Sequence, residues 1–346
     1  MFQTSIILYL QSLATEGLTG SMNAITTLGD DKLQAGIILL VLFGFSFRKG
    51  MLLTQLFMWT GIVTDGFKAL FNMPRPTFVH SDIKNLQHNE YDLTPFFSPG
   101  SKSFFSGIDP DILAAFRIRN DESWGFPSGH VSSSVALWGG LASLFNKKFL
   151  YWLAAILAIL VALSRMFLGR HFLGDVLGGI LLAVIILCSV FIVRRYWGFM
   201  VEPHSAGAQA DLLPNLAFYT FWFGIPLALG VIYPDVFGKF SGFLIGLNSA
   251  YLLLSRGDLP EDEGSWIIRT ARVLISILLY FLAYGLWSLF AEITSLDSVP
   301  FFDKFMESVV ILFTCILGTV KLCIRLGLYK MSGLKSQSME PENKPD

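Results

Sequence analysis

Two histidines, one carboxylate and three cations stand in this chain as three short strings: Lys68-x6-Arg75-Pro76, Pro127-Ser128-Gly129-His130 and Ser164-Arg165-x5-His171-x3-Asp175. His171 and Asp175, four residues apart, share one face of a helix. The carboxylate can accept from one ring nitrogen and fix the tautomer, leaving the other nitrogen to attack. It also stabilises the imidazolium that the attack creates. Pro127 fits a first helical turn, where its missing N–H is no loss. Ser128 and Gly129 then put a hydroxyl and backbone N–H groups at a helix N-terminus, which is an anion site. His130 follows, in position to hand a proton to a departing oxygen. Arg75 and Arg165 carry planar forks that match phosphate oxygens, and Lys68 adds a point charge. Taken singly, each feature has a bland reading: an interface histidine satisfied by an acid, a helix cap, a snorkelling cation. Asp65, one turn before Lys68, can simply pair with it. Together they suit the capture and cleavage of a phosphate group.

The elements that must hold these strings are membrane helices. Of 346 residues 53% are hydrophobic and 15% charged, with a mean hydropathy of +0.58, more apolar surface than a soluble core can hide. The net charge of -1 supplies no basic field for nucleic acid. The three cysteines, Cys188, Cys315 and Cys323, fall in apolar runs and read as packing residues. A hydrocarbon core needs about 20 apolar residues per helix. Spans are expected near 32–47, 50–68, 128–145, 149–167, 173–193, 215–233, 240–255, 273–291 and 304–324. Arg48-Lys49, Lys147-Lys148, Arg194-Arg195, Arg256, Arg269, Arg272, Lys321, Arg325, Lys330 and Lys335 then collect on one side, which the positive-inside rule makes cytoplasmic. Each string ends an apolar segment on the opposite, non-cytoplasmic side.

Residues 1–31 lack lysine and arginine, which argues against a secretory signal. Phe2, Ile6, Ile7, Leu10 and Leu13 fall at helical spacing, and an interfacial amphipathic segment is expected there. The candidate phosphate-handling core runs over 32–233, with a long polar non-cytoplasmic loop at 77–126 that includes a short helical run from Asp109 to Arg119. Further membrane helices are expected over 234–331 and a disordered cytoplasmic tail over 332–346. No metal set is expected, because cations stand where metal-assisted sites gather carboxylates. Neither a P-loop nor a Gly-x-Ser-x-Gly elbow is present.

With its three strings in this order, the chain resembles the type 2 phosphatidic acid phosphatase superfamily, the family of lipid phosphate phosphatases and vanadium haloperoxidases. The matching positions cover about 110 of 346 residues. The resemblance implies an all-α fold, here a multi-span membrane bundle with a six-helix core and about three or four extra C-terminal helices. It implies a two-step mechanism without cofactor or metal. His171 would be the nucleophile forming a phosphohistidine, Asp175 its orienting partner and His130 the acid, then base. Lys68, Arg75, Ser128, Gly129 and Arg165 would bind the phosphoryl oxygens. A site at the membrane boundary favours lipid phosphates or polyprenyl pyrophosphates as substrates, in a cell membrane with the site facing outward and the C-terminus cytoplasmic. The alternatives are a phosphotransferase using the same intermediate, a vanadium haloperoxidase, and a non-catalytic transporter or scaffold.

Overall fold

The computed structural model describes residues 1–92, 94–119, 124–196, 212–255 and 259–330. The tail expected over 332–346 and the flanking Arg256 lie outside the described residues. The protein is all-α, a multi-span membrane chain: among the described residues, five helices are long and apolar enough to cross a bilayer. They are Lys148–Phe167, Leu173–Ile192, Pro234–Ser255, Trp266–Thr294 and Phe301–Arg325. The chain groups into two compact units, Met1–Ile37 with Leu53–Tyr196, and Ile38–Leu52 with Trp197–Asp346.

In chain order, the helices that contribute to the first unit are α1 (Ser5–Ser12), α2 (Glu16–Thr26), α3 (Asp31–Leu39), α4 (Phe47–Phe71), α5 (Pro76–Val79), α6 (Pro110–Arg119), α7 (Gly129–Phe145), α8 (Lys148–Phe167) and α9 (Leu173–Tyr196). A small hairpin pairs β1 (Lys84–Asn85) with β2 (Glu90–Tyr91). In α8, Trp152, Ile156, Ile159 and Leu163 form an exposed apolar stripe at helical spacing, while Val161, Ser164 and Arg165 are buried. Apolar residues outward and a charge inward is the pattern of a helix solvated by lipid. Asn146 takes a left-handed conformation (φ 49°) and its N–H bonds the Ala142 carbonyl at 2.8 Å, so α7 ends in a tight reversal into α8. Gly169 (φ +73°) reverses the chain again between α8 and α9, against the Lys84 carbonyl; a Cβ there would sit 2.5 Å from that oxygen. That reversal carries Arg170 and His171.

The second unit adds α10 (Leu212–Tyr219), α11 (Ile225–Ile232), α12 (Pro234–Ser255), α13 (Trp266–Thr294) and α14 (Glu307–Arg325). Its core joins Leu42, Phe43, Phe47 and Met51 to Trp222, Leu247, Tyr251, Leu312 and Ile316. The expected span at 215–233 is not a uniform α-helix: a π-helical turn, Thr220–Gly224, separates α10 from α11. The physical reason is Pro226, which has no N–H for the Trp222 carbonyl one turn earlier. The Asn248 side chain donates to that carbonyl instead, at 2.7 Å.

Arg272, 2% exposed, bonds the Leu328 and Glu263 carbonyls and stacks on the Tyr329 ring at 3.8 Å. Arg272→Met keeps the stem but strands both carbonyls. It is expected to cost roughly 1.5–3 kcal/mol for the lost hydrogen bonds of a charged group, both of them only partly buried. Heat denaturation in detergent reads the loss, and an unchanged midpoint would mean the clamp is not structural.

Candidate active site

All three strings lie in the first unit, at the ends of α4, α7, α8 and α9. Lys68 occupies the last turn of α4, its Nζ 3.2 Å from Asp65 Oδ1. Gly129, at the start of α7, has no side chain, and a Cβ there would sit 3.2 Å from the Lys68 ammonium. After α4 the chain turns at Asn72 (φ 44°), and Pro76 holds Arg75 extended (φ -79°, ψ 161°). An Arg75 guanidinium nitrogen donates to the Arg170 carbonyl at 3.4 Å.

Ser128 is the N-cap of α7 but makes no side-chain cap bond; its Oγ is buried without a hydrogen-bond partner among the described residues. The Ser128 N–H donates to the Asp175 backbone carbonyl at 3.0 Å, which ties the start of α7 to the start of α9. Behind α9, Gly178 faces the Phe126 ring and Gly174 the Phe2 ring, so the two glycines admit aromatic side chains rather than a neighbouring helix backbone.

Arg165 is 2% exposed. One of its terminal nitrogens donates to Thr26 Oγ1 at 2.9 Å and to Gln87 Oε1 at 3.2 Å. The N–H groups of Arg170 and His171 both return to the Arg165 carbonyl, at 3.0 and 3.3 Å. His171 and Asp175 are buried together, with Nδ1 3.4 Å from Oδ2. That spacing lies within charge contact, yet Nδ1 has no aligned hydrogen bond, and Oδ2 accepts the Phe172 N–H at 2.8 Å. His130 Nε2 lies 2.9 Å from Asp30 Oδ1.

The electrostatics tie the cluster together. Burial holds His171 well below the ordinary imidazole range, and the charges of Arg75, Arg165, His130 and Lys68 press it further down. At neutral pH the ring is therefore uncharged and keeps a lone pair. Burial also lowers Arg170, opposed by Glu90, and raises the Asp30 carboxyl, opposed first by Arg165. Ser128 Oγ, the Nε atoms of Arg165 and Arg170, His171 Nδ1 and Asp175 Oδ1 are buried polar atoms without hydrogen-bond partners among the described residues. Such atoms normally find partners, and here they gather where cations converge.

Lys68, Arg75, Ser128, Gly129, His130, Arg165, His171 and Asp175 are thus drawn to one group of helix ends. Four neighbours have no counterpart in the sequence reading: Thr26, Asp30, Gln87 and Arg170. Arg170 precedes His171 directly and could have been found as one more cation in the third string. Thr26, Asp30 and Gln87 carry no local signal, because their partners lie 139, 100 and 78 positions away. Among the described residues, no three His, Cys, Asp or Glu side chains form a metal-holding group.

A family model described as the PAP2 superfamily matches residues 49–199. Phosphatidylglycerophosphatase B of Bacillus subtilis is 30% identical over 104 residues, 28% of this chain and 48% of that protein. Lipid A 4'-phosphatase of Porphyromonas gingivalis is 30% identical over 105 residues, 29% of this chain and 44% of that protein. Phosphatidylglycerophosphatase B of Haemophilus influenzae is 30% identical over 178 residues, 45% of this chain and 72% of that protein. The chain spans under half the length of the first two relatives. No solved structure matches it significantly.

Proposed function

This chain belongs to the PAP2 superfamily, and from that footing we propose that it is an integral-membrane hydrolase removing phosphate from a lipid monoester or diphosphate. The observation that carries the reading is the buried His171–Asp175 pair, Nδ1 3.4 Å from Oδ2, set among Arg75, Arg165, Lys68 and His130. In the proposed course, the ring nitrogen turned away from Asp175 attacks phosphorus. The N–P bond forms as the bond to the lipid oxygen breaks, and His130 gives that oxygen a proton. Water then attacks the phosphohistidine and yields its proton to His130. The N–P bond breaks, inorganic phosphate leaves and His171 is restored. Lys68, Arg75 and Arg165 neutralise the phosphoryl oxygens, the electrostatic role that a metal plays elsewhere. The unpartnered Ser128 hydroxyl and the N-terminus of α7 add donors.

Helix α8 supports a non-cytoplasmic site. It starts beside Lys147-Lys148 and ends at Arg165 and Phe167, roughly 30 Å away at 1.5 Å per residue. The basic end belongs with the cytoplasm, so the site belongs with the other face. A reaction centre at helix ends suits an amphiphile whose tails stay in lipid, in keeping with the lipid-directed names of the relatives.

Purified protein in detergent is expected to release phosphate from at least one of phosphatidate, phosphatidylglycerophosphate, a sphingoid phosphate and undecaprenyl pyrophosphate. The rate should persist in EDTA and fall with vanadate. Strict metal dependence would refute the mechanism, and a phosphorylated acceptor in place of free phosphate would make the protein a transferase.

A further inference from the structure

Asp30 sits where the short Thr27–Gly29 turn passes into α3, its carbonyl accepting the Gln34 N–H at 3.1 Å. Its Oδ1 reaches His130 Nε2 at 2.9 Å. The preceding residue packs against the same side chain: a Cβ on Gly29 would lie 2.9 Å from that of His130. None of this segment falls within residues 49–199, which the family model matches. An exposed acid beside a histidine usually means little. The surroundings here are different. Burial of the His130 ring acts against its charging first, and Arg165 on α8, Arg75 before α5, Lys68 on α4 and Arg170 in the α8–α9 reversal add to that. Each opposes a positive charge there, yet a proton donor must carry its proton until the leaving oxygen needs it. The groups acting on Asp30 itself are Arg165, Asp31 and Lys32.

We infer that Asp30 is a positioning residue for His130: its carboxylate accepts the Nε2–H, fixes the ring and offsets the surrounding cations so that the ring can be charged. The proton on Nδ1 then goes to the leaving oxygen while Nε2–H stays on Asp30. In the second half, the proton lost by the attacking water returns to Nδ1. This rests on the reading of His130 as the proton donor.

The test is the pH dependence of kcat and KM for whichever of the four candidate lipids wild type hydrolyses fastest, using wild type, Asp30→Asn and Asp30→Glu. Asp30→Asn is expected to lower kcat roughly 10²-fold, the low end of a positioned donor's contribution, with KM nearly unchanged. Without the carboxylate the ring binds its proton less tightly, so the alkaline limb should move to lower pH by about one unit or more. Asp30→Glu should restore most of the rate and the limb. Melting temperatures show that the variants fold. A second comparison uses p-nitrophenyl phosphate, whose leaving group departs without a proton, and there the Asp30→Asn deficit should shrink. A uniform loss at all pH values with no shift of the limb would make Asp30 merely structural and overturn the inference. Wild type that releases no phosphate from any lipid would instead sink the phosphatase reading itself.

Discussion

His171→Ala is expected to bring phosphate release from a lipid phosphate to background, a fall on the order of 10⁴-fold or more, as for removal of other covalent nucleophiles. The ring is 2% exposed and held uncharged by burial and by Arg75, Arg165 and Lys68. In the proposed course those same cations recruit the phosphoryl oxygens, so one field would keep the nucleophile neutral and hold its target. Alanine leaves the field intact and removes the atom that must bond to phosphorus. The sharper readout is covalent. Wild type quenched during turnover of a phosphate-labelled lipid should carry acid-labile, base-stable label, whereas His171→Ala should carry none while melting close to wild type. His130→Ala should be severely slowed on lipid esters yet still acquire label. Label that persists in His171→Ala would move the nucleophile elsewhere.

Chemistry was more legible than assembly. The helices α7, α8 and α9 follow from apolar length, whereas the reversals at Asn146 and Gly169 show only in the structure. The three strings fall at their ends because residues able to meet phosphate and water must leave the hydrocarbon. The i, i+4 spacing pairs His171 with Asp175, although His171 lies in the reversal before α9 and not on the helix itself. It does not reveal that Oδ2 bonds the Phe172 N–H at 2.8 Å while Nδ1 stands 3.4 Å off, since that depends on how the reversal after Gly169 closes. The N-terminal segment is the larger gap. Its apolar spacing points to an amphipathic helix, and Ile7 on that helix is fully buried. Periodicity records which face is apolar, not what that face meets. Thr26 on Arg165 and Asp30 on His130 are contacts between segments more than 90 residues apart, invisible to any local pattern. The irregular turn before Pro226 is an intermediate case. The proline marks where a donor is missing, but only the fold reveals that Asn248 fills the place.

Arg165→Lys is expected to cost about 10² to 10³-fold in kcat/KM even though the charge is kept, the scale of losing one transition-state donor. The guanidinium presents several N–H groups in a fixed fork. One terminal nitrogen already serves Thr26 Oγ1 and Gln87 Oε1, while Nε has no partner among the described residues. The fork can thus stay anchored through one nitrogen and offer others to a phosphoryl oxygen. A lysine ammonium on a flexible stem cannot keep both anchors and reach the phosphate at once. It also loses more by being buried, because it is more strongly hydrated. Two controls separate geometry from charge. Gln87→Ala removes one anchor and leaves the fork, so its rate should stay within a few-fold of wild type. Vanadate, as a phosphate mimic, should lose affinity in Arg165→Lys along with kcat/KM, because both depend on the same donors. If Arg165→Lys keeps its rate and its vanadate affinity while melting like wild type, the site needs only a positive charge there. The bidentate reading of Arg165 would then be wrong.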